Sequence, residues 1–329
     1  MKRKVLSILL CMAMAVSVMA CGNTASSTTT ATEGSSDSGT DSTASKDIKI
    51  SVVLHAMNSS FYTKMSDGAK AAGEDLGITV DVTSPTTASN LSEQVGLLES
   101  CITAGYDGIA TVLWDPSGFN SVIQKASDAG IPVLAFNMNA EDSGSVAFVG
   151  QEYEDAGYQL GKYMFEEVMG GEGKYVIASC APADTALIAR ADGIKRAAEE
   201  FPGIEFVDII DIGTDLTGAV GVIENAYLAN PDIDAILGVD VFSEAIGTFI
   251  ASNKLQDTVK AAGFDLTEGT LKHISNGDMQ LTVGQNPFLQ GYYSVVELYN
   301  NLANDAAFID INTGAQLVTA DNVSEVTPE

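Results

Sequence analysis

Short apolar runs alternate with amphipathic stretches of helical length along this chain from Ile48 onward. The runs are rich in β-branched residues and lie at 48–54, 78–82, 108–113, 132–136, 146–149, 174–178, 204–210, 235–239, 259–264 and 281–283. The helical stretches lie between them, at 62–76, 90–104, 118–129, 154–169, 186–200, 216–229, 242–252 and 288–302. Apolar strands separated by helices are typical of parallel sheets that are covered on both faces. The pattern therefore predicts a doubly wound α/β protein.

The alternating pattern divides into two similar halves, 47–151 and 152–285, and each half contains several strand–helix units. The chain after Gln285 adds one more helix and a short strand, which a simple sequential division would leave without a partner. We therefore expect the C-terminal helix to return and pack on the first half.

The first 46 residues differ in composition from the rest. Residues 1–20 begin with basic residues and continue as a mainly apolar run up to Ala20, as a secretory signal peptide does. Residues 18–21 resemble a bacterial lipoprotein signal, so we expect Cys21 to be lipidated. Residues 21–46 are mostly Ser, Thr, Gly, Ala and Asp, which predicts a disordered tether. The expected location is extracytoplasmic, with a lipid anchor in the bacterial cell membrane; a plain secreted protein is the alternative.

The charge of the chain narrows the possible partners. It contains 44 acidic residues against 16 Lys and Arg, for a formal net charge of −28. This balance argues against binding nucleic acid or docking on anionic lipid by charge. Beyond the signal peptide the only arginines are Arg190 and Arg196, whereas a strongly anionic ligand would favour paired arginine contacts. A neutral ligand is therefore favoured, and a cationic one stays open.

The remaining cysteines and the motif search do not indicate an enzyme. Cys101 and Cys180 match no metal or redox motif, so two buried thiols and a disulfide are both open. The chain has no nucleophile elbow, metalloprotease helix motif, phosphate loop or dinucleotide fingerprint. We expect no catalytic residue, no metal and no cofactor. The enzyme alternative is an acid–base pair of Asp240 and Asp265, because glycosidases use two carboxylates.

Polar and aromatic residues follow several apolar runs, at the edge where open parallel sheets bind their ligands. These candidate binding residues are His55, Ser59, Phe61, Tyr62, Trp114, Asn137, Asp240, Asp265 and Gln285. Carboxylates and amides pair with vicinal hydroxyls, and aromatic rings stack on the apolar face of a sugar. The set therefore predicts a site for a small, neutral, polyhydroxylated molecule. Helix capping by Asp and Asn, core packing by the aromatic residues and a structural hydrogen bond from His55 stay open as alternatives.

From about Asp47 onward, the chain resembles type I periplasmic sugar-binding proteins, the ribose- and galactose-binding group of ABC-transporter substrate receptors. The matching motifs are VVLHAMNSSFY at 52–62, GIPV at 130–133, RADG at 190–193, GFD at 263–265 and GQ at 284–285. The resemblance implies two α/β domains joined by three hinge strands, with the ligand in the cleft. The N-terminal domain would comprise 47–151 plus 286–318, and the C-terminal domain 152–285 plus 319–329. The chain would cross between them near 151–152, near Gln285 and near 318–322.

The resemblance also implies roles for particular residues. Phe61 and Tyr62 resemble the aromatic pair that packs against the sugar, and Asp265 and Gln285 match polar ligands. Three further positions carry a different residue from many relatives. Asp240 stands where many have Asn, Asn137 where many have Asp, and Thr214 where ribose-binding relatives place an aromatic residue.

Two departures from the family pattern concern arginine. Met138 and Ile188 stand where ribose-like relatives carry sugar-binding arginines. Arg190 matches a nearby arginine that either binds the ligand or braces the cleft. The pocket should therefore be less cationic and more apolar than a ribose site. This points away from ribose, toward a deoxysugar, a polyol or a differently substituted sugar.

The expected function is that of a monomeric substrate-binding lipoprotein. It would capture a sugar or polyol between its domains, close by hinge motion and deliver the ligand to an ABC import permease. A sensor or chemoreceptor subunit that presents its ligand to a membrane histidine kinase is the alternative with the same fold.

Overall fold

The structure, a computed structural model, describes residues 47–57, 60–115, 117–140 and 142–328. The predicted signal peptide, the tether and Cys21 lie outside these residues. Within the described ranges, no helix combines the length and the apolar character needed to cross a membrane.

The described chain is built from short strands and longer helices in alternation. The strands are β1 (Lys49–Val53), β2 (Thr79–Thr83), β3 (Gly108–Thr111), β4 (Val133–Phe136), β5 (Phe148–Gly150), β6 (Glu172–Ser179), β7 (Gly203–Asp211), β8 (Ala235–Gly238), β9 (Lys260–Phe264), β10 (Leu281–Gly284), β11 (Ile311–Asn312) and β12 (Gln316–Val318). The helices are α1 (Ser60–Leu76), α2 (Leu91–Ala104), α3 (Asn120–Asp128), α4 (Tyr153–Tyr163), α5 (Thr185–Ala198), α6 (Leu216–Ala229), α7 (Glu244–Asn253), α8 (Glu268–Asn276) and α9 (Pro287–Asn304). Helix α4 continues directly into a π-helical segment, Met164–Val168.

The strands form two six-stranded sheets of matching order. The first sheet runs β11-β5-β4-β3-β1-β2 and the second β12-β10-β9-β8-β6-β7. Neighbouring strands are parallel throughout, except that β12 pairs antiparallel with β10. Buried apolar clusters cover both faces of each sheet. The predicted doubly wound α/β class is confirmed. We call each sheet with its packed helices a lobe.

One helix pair in each lobe packs with its backbones in contact. In the first lobe, a Cβ on Gly291 of α9 would lie 2.0 Å from the carbonyl oxygen of Met65 in α1. In the second lobe, a Cβ on Gly193 of α5 would lie 1.9 Å from the carbonyl oxygen of Glu154 in α4. Neither position has room for a side chain. The first contact holds α9, which follows the second lobe in sequence, against the first lobe.

The third crossing lies earlier than the sequence predicted. The resemblance implies that residues 286–318 belong to the N-terminal domain, but β12 (Gln316–Val318) pairs with β10 of the second sheet, with Val318 opposite Thr282. Val318 is fully buried in a small apolar cluster with Leu266 and Leu271 of the second lobe. Burial of this side chain therefore attaches β12 to the second lobe, and the chain crosses between Asn312 and Gln316.

Candidate ligand-binding site

A cavity of about 310 Å³ lies at the carboxyl ends of the strands and is lined by both lobes. This volume is at the small end of the range of about 300–1,000 Å³ for small-molecule sites. Nine of the predicted binding residues line it: Phe61, Tyr62, Trp114, Asn137, Met138, Arg190, Asp240, Asp265 and Gln285.

Two other predicted residues, His55 and Thr214, do not line this cavity. Phe61, Tyr62 and Trp114 form one side of the cavity, which we call the aromatic wall. His55 packs against this wall from outside the cavity, with its ring centroid 5.8 Å from that of Tyr62 and 5.5 Å from that of Trp114. Thr214 is exposed after β7 and is not among the lining residues. Ser59 lies outside the described residues.

Sequence reasoning missed several lining residues, among them Tyr153, Cys180 and Asp184. Cys180 directly follows β6, so the rule that ligands bind beyond strand ends could have found it. Tyr153 begins α4 just after the first crossing, and its hydroxyl donates to the backbone carbonyl of Asn137 in the other lobe. Asp184 caps α5 by accepting hydrogen bonds from the amides of Ala186 and Leu187.

Asn137 and Asp265 occupy equivalent places in the two lobes. Each directly follows a strand, β4 and β9 respectively, and these strands hold the same position in the two sheets. Both residues adopt the left-handed backbone conformation, with φ of 64° and 67°. Asparagine and aspartate adopt this conformation more readily than other non-glycine residues, so each can turn the chain directly after its strand.

The side-chain amide of Asn137 has a defined orientation. Gln290 donates through Nε2 to the carbonyl of Gln285 at 2.9 Å, so its Oε1 is the acceptor for Asn137 Nδ2 at 3.1 Å. The remaining atom, Asn137 Oδ1, is buried and has no hydrogen-bond partner among the described residues, and Asn137 is only 3% exposed. Asn137, a residue of the cavity lining, therefore retains one acceptor that no other described residue satisfies.

Arg190 is a hydrogen-bond donor in the cavity lining, and two of its three nitrogens have partners. Its Nη1 donates to the carbonyl of Val239 at 2.8 Å and its Nη2 to Oε1 of Gln151 at 2.9 Å. The guanidinium carbon lies 4.0 Å from the centroid of the Phe264 ring and 5.4 Å from that of Tyr153. Arg190 is 3% exposed, and its Nε is buried without a partner in the described part of the chain. The residue thus braces the cleft and also retains one unpaired donor.

Asp265, Gln285 and Tyr62 form a polar group at the cavity. Gln285 Nε2 donates to Asp265 Oδ1 at 2.6 Å. Burial, with a smaller contribution from the negative charge of Asp265, raises the pKa of Tyr62 to about 12. Tyr62 belongs to the first lobe and Asp265 to the second, so this electrostatic effect acts between the lobes. Tyr62 keeps its proton at neutral pH and can donate a hydrogen bond.

The contacts of Asp240 match the capping alternative. Its Oδ1 accepts from the amide of Phe242 at 2.8 Å, and its Oδ2 accepts from the amide of Cys180 at 2.6 Å. It thereby caps the 3₁₀ turn Val241–Ser243. Burial raises the pKa of the Asp240 carboxyl group, and these backbone hydrogen bonds partly oppose the rise. The Asp240 carboxylate thus holds the ends of β6 and β8 together. The Asp265 carboxylate, in contrast, accepts from no backbone amide of the described residues.

The aromatic wall is fixed from behind. The indole N–H of Trp114 donates to Oε1 of Gln94 at 2.9 Å, so the polar atom of the ring is already paired and Trp114 contributes apolar surface to the cavity lining. The His55 ring meets the Trp114 ring edge-on, and burial lowers the pKa of His55. His55 therefore supports the wall as a neutral ring.

Cys101 and Cys180 are both free thiols. Cys101 is buried in the first lobe, where its Sγ lies 3.1 Å from Oγ of Ser51, while Cys180 lines the cavity. Of the two alternatives that the sequence left open, the structure contains no disulfide between these residues.

A more voluminous, open depression of about 630 Å³ lies at the opposite, amino-terminal end of the second sheet. Its charged lining includes Lys174 and Asp232, which pair with each other at 2.6 Å. None of the buried, unpartnered polar atoms of the described residues belongs to this lining. The inter-lobe cavity is therefore the better candidate for a specific ligand.

Two parallel-sheet lobes, three chain crossings and a polar cavity between the strand ends define a two-lobed binding protein. Residues 50–306 match the family model described as periplasmic binding protein domain. This chain belongs to that family, which confirms the resemblance seen in the sequence.

Relatives in this family carry the names of sugar-binding proteins. The xylose/arabinose-binding protein XylF of Sulfolobus acidocaldarius is 25% identical over 296 residues, covering 84% of this chain and 72% of the relative. The ribose import binding protein RbsB of Bacillus subtilis is 23% identical over 262 residues, covering 80% and 81%. A solute-binding protein from Burkholderia graminis, solved in complex with D-arabinose, is 28% identical with a TM-score of 0.74, covering 86% of this chain and 99% of that one.

Proposed function

We propose that this protein captures a small, largely neutral sugar or polyol in the inter-lobe cavity and delivers it to an ABC import permease. One observation carries the proposal: two residues that line the cavity each have a buried polar atom with no partner among the described residues, the acceptor Asn137 Oδ1 and the donor Arg190 Nε. A buried polar group without a partner costs about 1–3 kcal/mol. A hydroxyl both donates and accepts, so a polyhydroxylated ligand can satisfy both atoms.

The other lining groups support the same ligand class. The rings of Phe61, Tyr62 and Trp114 offer apolar surface for the C–H face of a sugar ring. Asp265 and Gln285 add oxygen acceptors for hydroxyl groups. The names of the family relatives, which include xylose, arabinose and ribose, agree with this class. The predicted lipid at Cys21 would hold the protein at the outer face of the membrane, near its permease.

The rim of the cavity suggests a sugar with an apolar substituent. Met138 from the first lobe is 37% exposed and Val241 from the second is 44% exposed, and both line the cavity with Leu187. A methyl group placed among these side chains would bury apolar surface. The hydroxyl of a hydroxymethyl group in the same place would lose its hydrogen bonds to water, which costs free energy. We therefore propose a deoxyhexose in preference to its parent hexose.

A thermal-shift experiment with matched sugars tests both parts of this proposal. L-Fucose, L-galactose and D-arabinose share their ring hydroxyl configuration and differ in one substituent: methyl, hydroxymethyl or hydrogen. L-Rhamnose, L-mannose and L-lyxose form a second such set. A sugar present at a thousandfold its dissociation constant should add about 4 kcal/mol to the free energy of unfolding.

We expect at least one sugar to raise the melting temperature, and the deoxyhexose to exceed both relatives in its set. A hexose that binds better than its deoxyhexose would overturn the apolar-rim argument and leave the sugar-binding function intact. If no sugar or polyol changes the melting temperature, the proposed function is wrong.

A further inference from the structure

The side chain of Gln151 lies where all three chain crossings meet. Gln151 follows β5 at the first crossing, and its side-chain nitrogen points to the other two. Nε2 donates to the carbonyl of Gly284, at the end of β10, at 3.1 Å, and to that of Gly314, between β11 and β12, at 3.3 Å. Gln151 is only 1% exposed. One amide group therefore connects the three segments that join the lobes.

The same side-chain amide also contacts Arg190, which lines the cavity. Gln151 Oε1 accepts from Nη2 of Arg190 at 2.9 Å, and Arg190 holds the carbonyl of Val239, just beyond β8, through Nη1. The guanidinium is planar and permanently charged, so a change in the orientation of its plane moves Nε, Nη1 and Nη2 together. A ligand atom bound to Nε would therefore constrain the hydrogen bond to Gln151.

We propose that Gln151 is a positioning residue that transmits ligand contact at Arg190 to the three crossings. This inference rests on the proposed sugar-binding function. Its physical basis is that the amide has one orientation that satisfies all its partners: the oxygen toward Arg190 and the nitrogen toward two carbonyls. In two-lobed proteins, hinge closure is absorbed by a few residues at the crossings. A ligand that fixes the guanidinium thereby stabilises one arrangement of these segments.

Hydrogen exchange at the third crossing gives a direct readout. The amide of Thr313 donates to the carbonyl of Gly150 at 2.8 Å, so it links the third crossing to the first. The probe is D-arabinose, or the sugar of the matched sets that stabilises the protein most. In the unsubstituted protein, we expect the sugar to slow exchange both near Arg190 in α5 and at Thr313.

Two substitutions separate the contacts of Gln151. Gln151→Met removes every hydrogen bond of the side chain, so we expect binding about ten- to a hundredfold weaker and no sugar-dependent protection at Thr313. Gln151→Glu keeps an acceptor for Arg190 but loses the donor to both carbonyls. It should bind the sugar more tightly than the Met variant and still lack the protection at Thr313.

Gln280→Met is the matched control. Gln280 accepts from the amide of Ala261 at 2.7 Å near the amino end of β9, away from the cavity. This variant should lose stability and keep the sugar-dependent protection at Thr313. The proposal is overturned if Gln151→Glu keeps full protection, or if sugar protects α5 of the unsubstituted protein without protecting Thr313. If no sugar protects any amide, the sugar-binding function fails and this inference fails with it.

Discussion

Replacing Asp265 with alanine is expected to weaken sugar binding by about 2–5 kcal/mol, because a bound sugar would cover this half-buried, hydrogen-bonded carboxylate and truncating a charge that is buried in the complex costs that much. Asp265 lines the cavity, and the one donor to its carboxylate among the described residues is the side chain of Gln285 at 2.6 Å. The substitution would remove an acceptor for ligand hydroxyls and release Gln285 from its fixed orientation. Calorimetric titration of the purified variant with the best-binding sugar measures the loss.

Asp265→Asn is the control for this experiment. The backbone of Asp265 has a φ of 67°, which asparagine tolerates better than alanine. The Asn variant should therefore fold as well as the unsubstituted protein and still bind more weakly, because its amide replaces a charged acceptor. Asp265 is not the cap of the following helix, since Thr267 caps α8. Unchanged affinity in both variants would show that Asp265 does not contact the ligand.

Gly193→Ala is expected to lower the free energy of unfolding by about 1–3 kcal/mol or more, because it overpacks a contact between two backbones. The new Cβ would lie 1.9 Å from the carbonyl oxygen of Glu154, and that oxygen belongs to α4 rather than to a side chain that could move. Helices α4 and α5 would have to separate, which would displace Arg190 on α5. Urea denaturation measures the change.

Gly221→Ala provides the matched control in α6. A Cβ there would meet no atom within 4 Å, so the substitution only improves helix propensity. We expect it to stabilise the protein by about 0.5–1 kcal/mol. Equal stability of the Gly193→Ala and Gly221→Ala variants would contradict the close helix contact.

The strands and most helices could be predicted because burial leaves a strong periodic signal. Each predicted apolar run overlaps one of the strands β1–β10, and strands such as β3 and β8 are buried at every residue. Helix α8 was missed because it is short and mostly polar, with only Thr270, Leu271 and Ile274 buried. The place of β12 was missed because a three-residue strand has too little pattern to indicate its partner.

The cavity lining could be predicted in large part from one geometric rule. Parallel strands bring their carboxyl ends to one edge, so residues that follow different strands, such as Trp114, Asn137 and Asp265, meet there. The rule does not predict which of these polar atoms already form hydrogen bonds within the protein. Asp240 and Asp265 both follow strands, yet only the structure shows that backbone amides occupy both oxygens of Asp240.

The proposed roles of Gln151 and Arg190 could not be predicted from the sequence. Gln151 was expected only to mark a crossing, because its partners Arg190, Gly284 and Gly314 are distant in the chain. For Arg190, the sequence left bracing and ligand contact open. The structure shows the bracing contacts and also one nitrogen, Nε, without a partner among the described residues. Hydrogen-bond orientation in three dimensions, which has no periodic signature, decides such roles.

A crystal structure of the protein with its best-binding sugar tests the central claim most directly. The account predicts one sugar in the inter-lobe cavity, with oxygen atoms within about 3.2 Å of both Asn137 Oδ1 and Arg190 Nε. The aromatic rings of the first lobe should contact its C–H face. A sugar bound outside this cavity, or one that leaves both of these atoms unpaired, would contradict the account.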